Sequence, residues 1–183
     1  MRTMQMFPGF ILMTVACSIC SASPAIGKIY SVKLLDVDGR TLSTVDKVVT
    51  VLVLTTRANL DKARQIGDRI PERCLGNPNY RMITVIEFGN IRTRVMQYLL
   101  SASVRRGLDS EAERLKTRYI AKGVNRDART DIYAVADFNG HTAAQLDLQP
   151  SPEFRVLLLS REGALMRDWT KVPSAEEVAT ALP

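Results

Sequence analysis

Three cysteines, one histidine and the stretch Thr55-Thr56-Arg57-Ala58 are the residues of this 183-residue chain whose types could support chemistry. Cys17 and Cys20 have the C-x-x-C spacing of a dithiol centre, but both lie inside an apolar N-terminal run. Cys74 stands alone beyond that run, so it has no second cysteine nearby with which to close an internal disulfide. It continues the spacing Ile66, Ile70, Cys74 near the end of an expected helix, where the dipole raises a thiol pKa instead of activating the group. A buried structural cysteine is therefore the favoured reading. The alternative is a thiol-dependent peroxidase or thiol-disulfide oxidoreductase that attacks through Cys74 and is resolved by a partner thiol.

One histidine and one such cysteine cannot assemble a zinc site of the Cys/His type, and no metal or cofactor is expected. Asp137 and His141 flank a turn, but no motif positions a serine for a Ser-His-Asp relay. Thr55 and Thr56 offer hydroxyls with no adjacent base, so they read as loop and cap groups. Arg57 at a helix start could hold a carboxylate or phosphate together with free N–H groups, although a solvated arginine is the simpler account. Trp169 reads as a half-buried core or edge residue.

These residues have to be positioned by a core of ordinary size. Hydrophobic content of 46% with 24% charged residues fits one globular domain. Arg2 followed by the apolar run Phe7 to Cys20 has the form of a signal peptide over residues 1–25, with small residues that place cleavage after Ala25 or Gly27. Lipid attachment at Cys17 is a second option. The expectation is an exported, periplasmic protein whose domain occupies residues 28–183.

The net charge of +6 is concentrated: from Arg81 to Arg129 there are 11 basic and 5 acidic residues. A basic helical insertion around 91–122 carries most of this excess, and it admits peripheral contact with an anionic membrane surface as a further function. Nucleic acid is not an expected partner of an exported protein without an aromatic-basic platform.

Strands are expected at 29–35, 48–54, 81–88, 132–136, 154–159 and 164–168, from β-branched and apolar runs bounded by turn residues. Val48 to Leu54 is apolar throughout apart from Thr50, the pattern of a strand covered on both faces. Asn59 is expected to cap a helix in which Leu60, Ala63, Ile66 and Ile70 form one face, ending at Pro71. The basic stretch reads as helix broken near Gly107, with Ser110-x-x-Glu113 capping a second helix that stops at Gly123. Ser174-x-x-Glu177 caps a last helix reaching Leu182. This order of elements specifies a three-layer α/β sandwich with a mixed sheet.

The strand Val48–Leu54 leading into a loop and helix, the segment Val135-Ala136-Asp137-Phe138-Asn139-Gly140, and the strand–turn–strand of Phe154 to Arg167 resemble the thioredoxin superfamily, in its redoxin and peroxiredoxin-type branch. Within it, residues 137–150 and 157–182 are similar to the YtfJ-like group of exported proteins of Gram-negative bacteria. The resemblance implies a thioredoxin-like three-layer α/β/α sandwich over residues 30–182. It also implies that Thr55-Thr56-Arg57-Ala58 occupies the place of a C-x-x-C, and that Pro152, or else Pro150, is the proline that faces this loop. The function expected on that basis is a non-catalytic domain that binds a protein or peptide of the cell envelope, with Thr55, Thr56, Arg57 and Pro152 as its surface.

Overall fold

The computed structural model describes residues 23–148 and 151–183. Cys17, Cys20, Pro150 and nearly all of the expected leader lie outside the described residues.

Five strands form the main sheet: β3 (Val49–Thr56), β4 (Tyr80–Glu87), β5 (Tyr133–Asp137), β6 (Phe154–Leu159) and β7 (Leu165–Trp169). Their order is β5-β4-β3-β6-β7, with β3, β4 and β5 parallel and β6 and β7 antiparallel to their neighbours. The sheet is therefore mixed and β3 is central, as its unbroken apolar run requires. Period-two alternation then divides its side chains between two cores. Leu52 and Leu54 join Ile83, Val85, Leu157 and Leu159 on one face. Val51 and Val53 join Val156 and Leu158 on the other.

The first face is covered by α3 (His141–Gln145) with Leu146 and Leu148, and by Val32, Leu34 and Leu42 from a small antiparallel pair, β1 (Lys33–Leu35) and β2 (Thr41–Ser43). The second is covered by α1 (Leu60–Arg69), through Ala63 and Ile66, and by α4 (Ala175–Ala181), through Val178. Ser174 and Glu177 form the expected capping box of α4: the serine hydroxyl accepts from Glu177 N–H, and the glutamate accepts from Ser174 N–H.

Several expectations require correction. The basic stretch is one helix, α2 (Arg94–Lys122), of 29 residues, without a break at Gly107 or a fresh start at Ser110. Gly107 costs about 1 kcal/mol relative to alanine in a helix interior, too little to interrupt a continuous hydrogen-bond ladder. The helix ends where expected, with Gly123 left-handed at φ 67° and Val124 N–H reaching back to Tyr119 O at 2.9 Å. The first strand is confined to Lys33–Leu35, and Ile29 makes only an isolated bridge to Ala164. The central strand runs two residues further than expected, so Thr55 and Thr56 belong to β3 and not to a loop: they pair with Ile86 and Glu87, and Thr55 also with Phe154. Asn59 occupies the N-cap position of α1 without capping it; its amide donates to Thr56 Oγ1 at 3.3 Å.

Gly163, in the turn between β6 and β7, has φ +81°, and a Cβ there would lie 2.8 Å from Val45 Cγ1 and 3.1 Å from Tyr30 O. Gly163→Ala is expected to lower stability by about 2–3 kcal/mol, from strain and overpacking together, as measured by chemical denaturation.

Candidate binding site at the strand ends

The parallel register brings three carboxyl-terminal strand residues into line, Thr56 of β3 beside Glu87 of β4 and Glu87 beside Asp137 of β5. In open α/β sheets this edge is where ligands sit. The antiparallel neighbour completes it. Phe154 pairs with Thr55, so Pro152 stands two residues before the last pair of this ladder, while Thr56 ends β3 and Arg57 follows it directly.

Thr55 is brought to the same strand end but faces inward. It is 1% exposed and its hydroxyl donates to Thr56 O, so it presents no group to a partner. Arg57 opens a 3-10 turn (Arg57–Asn59) and is exposed, with no hydrogen bond or ion pair among the described residues. Ser151 adds a contact that the sequence reading lacks. Its hydroxyl donates to Glu87 Oε2, carrying the segment before β6 across the end of β3 to β4. Ser151 to Glu153 lie before the first residue of β6, and none of them makes a turn or loop main-chain hydrogen bond among the described residues.

Asp137 caps the start of α3 and is not half of a catalytic relay. Its carboxylate accepts backbone N–H bonds from Asn139 at 3.0 Å, His141 at 3.3 Å and Thr142 at 2.8 Å. Burial pushes the Asp137 pKa up, but the N–H groups of Thr142, Asn139 and His141 outweigh it and hold the carboxyl below its ordinary range. The His141 side chain is exposed. Among the described residues no three His, Cys, Asp or Glu side chains converge on a point that could hold a metal ion.

Cys74 sits in a short 3-10 turn (Glu72–Cys74) that precedes β4, at the strand-start end of the sheet. It is 6% exposed, packed with Val49, Val51 and Ile66. An eight-residue β3 separates the two ends by about 23 Å, too far for its sulfur to act at Arg57. Burial pushes the thiol pKa up, against a smaller opposing pull from Arg73. Alkylation or disulfide exchange at Cys74 is expected to be at least ~100-fold slower in native protein than in guanidinium, followed by absorbance with an aromatic disulfide reagent.

Much of the basic excess on α2 is engaged within the fold. Arg105 donates to Val37 O, Arg114 pairs with Asp68 and Glu111, and Arg118 donates to the carbonyls of Gly67 and Ile70. No helix among the described residues is long and apolar enough to cross a membrane.

No protein-family model and no curated protein matches the chain in sequence. Solved structures do match it in fold. A DsbF homologue from Corynebacterium diphtheriae aligns with a TM-score of 0.51 at 9% identity, covering 90% of this chain and 94% of its own. A secreted thiol-disulfide isomerase from Corynebacterium glutamicum aligns with a TM-score of 0.52 at 11% identity, covering 84% and 82%. With its mixed five-stranded sheet and helices, the chain has the thioredoxin-like fold that these matches indicate.

Proposed function

We propose that this chain is an exported, non-catalytic thioredoxin-like domain of the cell envelope that binds an extended segment of a protein or peptide across Thr56, Arg57 and Ser151–Glu153. The observation that carries this reading is the backbone of Ser151–Glu153, without a ladder partner yet pinned by the Ser151–Glu87 hydrogen bond beside an uncommitted arginine. Open main-chain groups just beyond the end of a strand can pair with an extended peptide, and the free cation of Arg57 can select its register through an acidic side chain or terminal carboxylate.

The sequence at the start of α1 supports holding over reacting, since no cysteine occurs between Val49 and Arg73. The buried position of Cys74, at the other end of β3, supports the same reading. Export rests on the Arg2 and Phe7–Cys20 pattern, and the similarity in fold to an isomerase described as secreted agrees with it. The resemblance to the YtfJ-like group points the same way.

A photoreactive amino acid placed at the exposed Ala58 of the exported protein, which leaves Arg57 in place, compared with one at the exposed Lys171, tests the proposal in living cells. A discrete adduct with an envelope protein from position 58, weakened at least ~10-fold by Pro152→Ala, is the expected result. Equal adducts from both positions, or none from position 58, would contradict it.

A further inference from the structure

Between α2 and the sheet the fold leaves an elongated space of about 660 Å³, within the range of roughly 300–1,000 Å³ seen for small-molecule sites. Its floor is β4, whose Met82 and Thr84 remain half-exposed although the strand lies between β3 and β5. Its lining extends from Arg57 and Phe88 at the strand ends to Val49 and Tyr80 at the strand starts, so it follows the length of β3 and β4. Val51, Met82, Ile86, Leu100, Val104 and Leu115 give it apolar walls. Protein interiors are close-packed, and a space of this size is not ordinary looseness.

Two glycines keep it open. Gly67 of α1 and Gly107 of α2 both line the space, and both sit in helix interiors with ordinary helical φ, where glycine is destabilising relative to alanine. A Cβ at Gly107 would meet nothing within 4 Å, and one at Gly67 would meet only Met82 Sδ at 3.9 Å. Neither backbone conformation nor close packing requires these glycines; what they provide is room.

The charges on the wall are matched, with one exception. Glu111 pairs with Arg64 at 2.6 Å, Asp68 with Arg114 at 3.2 Å and Asp131 with Arg126 at 2.7 Å. Arg81 pairs with Asp46, and Arg118 donates to the carbonyls of Gly67 and Ile70. Arg57, at the strand-end mouth, has no partner among the described residues. The ion pairs from Arg64 and Arg114 strap α2 to α1 across the space, while Val104 and Leu108 pack α2 against Val37 and Ala134 on the β5 side.

We infer that this slot binds a single-chain anionic amphiphile, with its acyl chain lying along β4 and its acidic head at Arg57. The elongated apolar slot suits a linear chain, and one unmatched cation at its mouth suits one anion. A free fatty acid and a lysophospholipid share this chemistry. The slot shares Arg57 with the proposed peptide surface, so a peptide carboxylate and the amphiphile's head would compete there, whereas its apolar length does not depend on peptide binding at Ser151–Glu153.

The purified protein, stripped of lipid on a hydrophobic resin, is titrated with the fluorescent fatty acid cis-parinarate and competed with palmitate, lysophosphatidate, 1-hexadecanol and butyrate. One saturable site is expected, from which palmitate or lysophosphatidate displaces the probe and butyrate does not; the stronger anion identifies the head group. Hexadecanol should compete at least ~10-fold less well than the better anion, and Arg57→Glu should remove that difference. Gly107→Leu and Gly67→Leu should each weaken probe binding ~10-fold or more, with melting temperatures no lower than that of the parent protein. The inference is overturned if the probe shows no saturable site, if both glycine variants bind normally, or if hexadecanol competes as well as the anions. Gly107→Leu keeps the crosslink from position 58, so loss of the slot and loss of the peptide surface are told apart.

Discussion

Replacing Asp137 by alanine is expected to lower the folding free energy by about 3 kcal/mol, because it strands several backbone donors at once, each worth about 1–3 kcal/mol when left unsatisfied. The carboxylate is 8% exposed and accepts from Asn139, His141 and Thr142, the first of which closes the turn after β5 and the other two of which start α3. A five-residue helix such as α3 has little stability of its own, so the cap and Ala143, buried in the main core, hold it in place. The same carboxyl makes stability depend on pH. Its folded pKa lies below the unfolded value of about 3.9, so its contribution is fully present above pH 3.9 and is lost as pH falls through the folded value. Denaturant midpoints at pH 7 and near pH 3 should therefore fall further apart in the parent protein than in Asp137→Ala. An equal fall in both would remove the role given to this carboxylate.

Leu157→Ala is expected to cost about 3–5 kcal/mol, the range for a fully buried leucine whose surroundings cannot collapse into the space. Leu157 is 0% exposed and occupies the middle of β6, opposite Leu52 of β3 and Asp168 of β7. Ladders on both sides fix the backbone there, so the cavity cannot close by strand movement. The neighbouring Arg155 is held to Asp168 by two hydrogen bonds, at 2.7 and 2.6 Å, which resist any shift of β6 against β7. Guanidinium unfolding curves give the loss directly, and a value under about 1 kcal/mol would show that this part of the sheet repacks.

The sequence announces the elements that propagate a period or carry a complete cap. Val49–Thr56, Tyr80–Glu87 and Phe154–Leu159 are runs rich in apolar and β-branched residues, and Ser174-x-x-Glu177 supplies both halves of a capping box. Thr41–Ser43 and His141–Gln145 are too short for any period to register, and both escaped. In α2 the local signals pointed the wrong way: Ser110-x-x-Glu113 has cap composition, but it lies within a hydrogen-bonded helix whose N–H groups are already satisfied.

At the site, Arg57 was singled out by its place at a helix start and Pro152 only through the resemblance to thioredoxin-like proteins. Glu87 and Ser151 carry no such sign, since their hydrogen bond joins residues 64 positions apart and depends on the register of three strands. For Thr55 a signal did exist. The β-branched run continues through Thr55-Thr56, and alternation from Val53 places Thr55 inward.

The claim that the strand end holds a partner without reacting with it is tested most directly by the crosslink from position 58 in a Cys74→Ser background. The account predicts the same adduct at the same yield as with Cys74 present. Loss of the adduct in a variant that remains folded and exported would show that the thiol is required, and would contradict it.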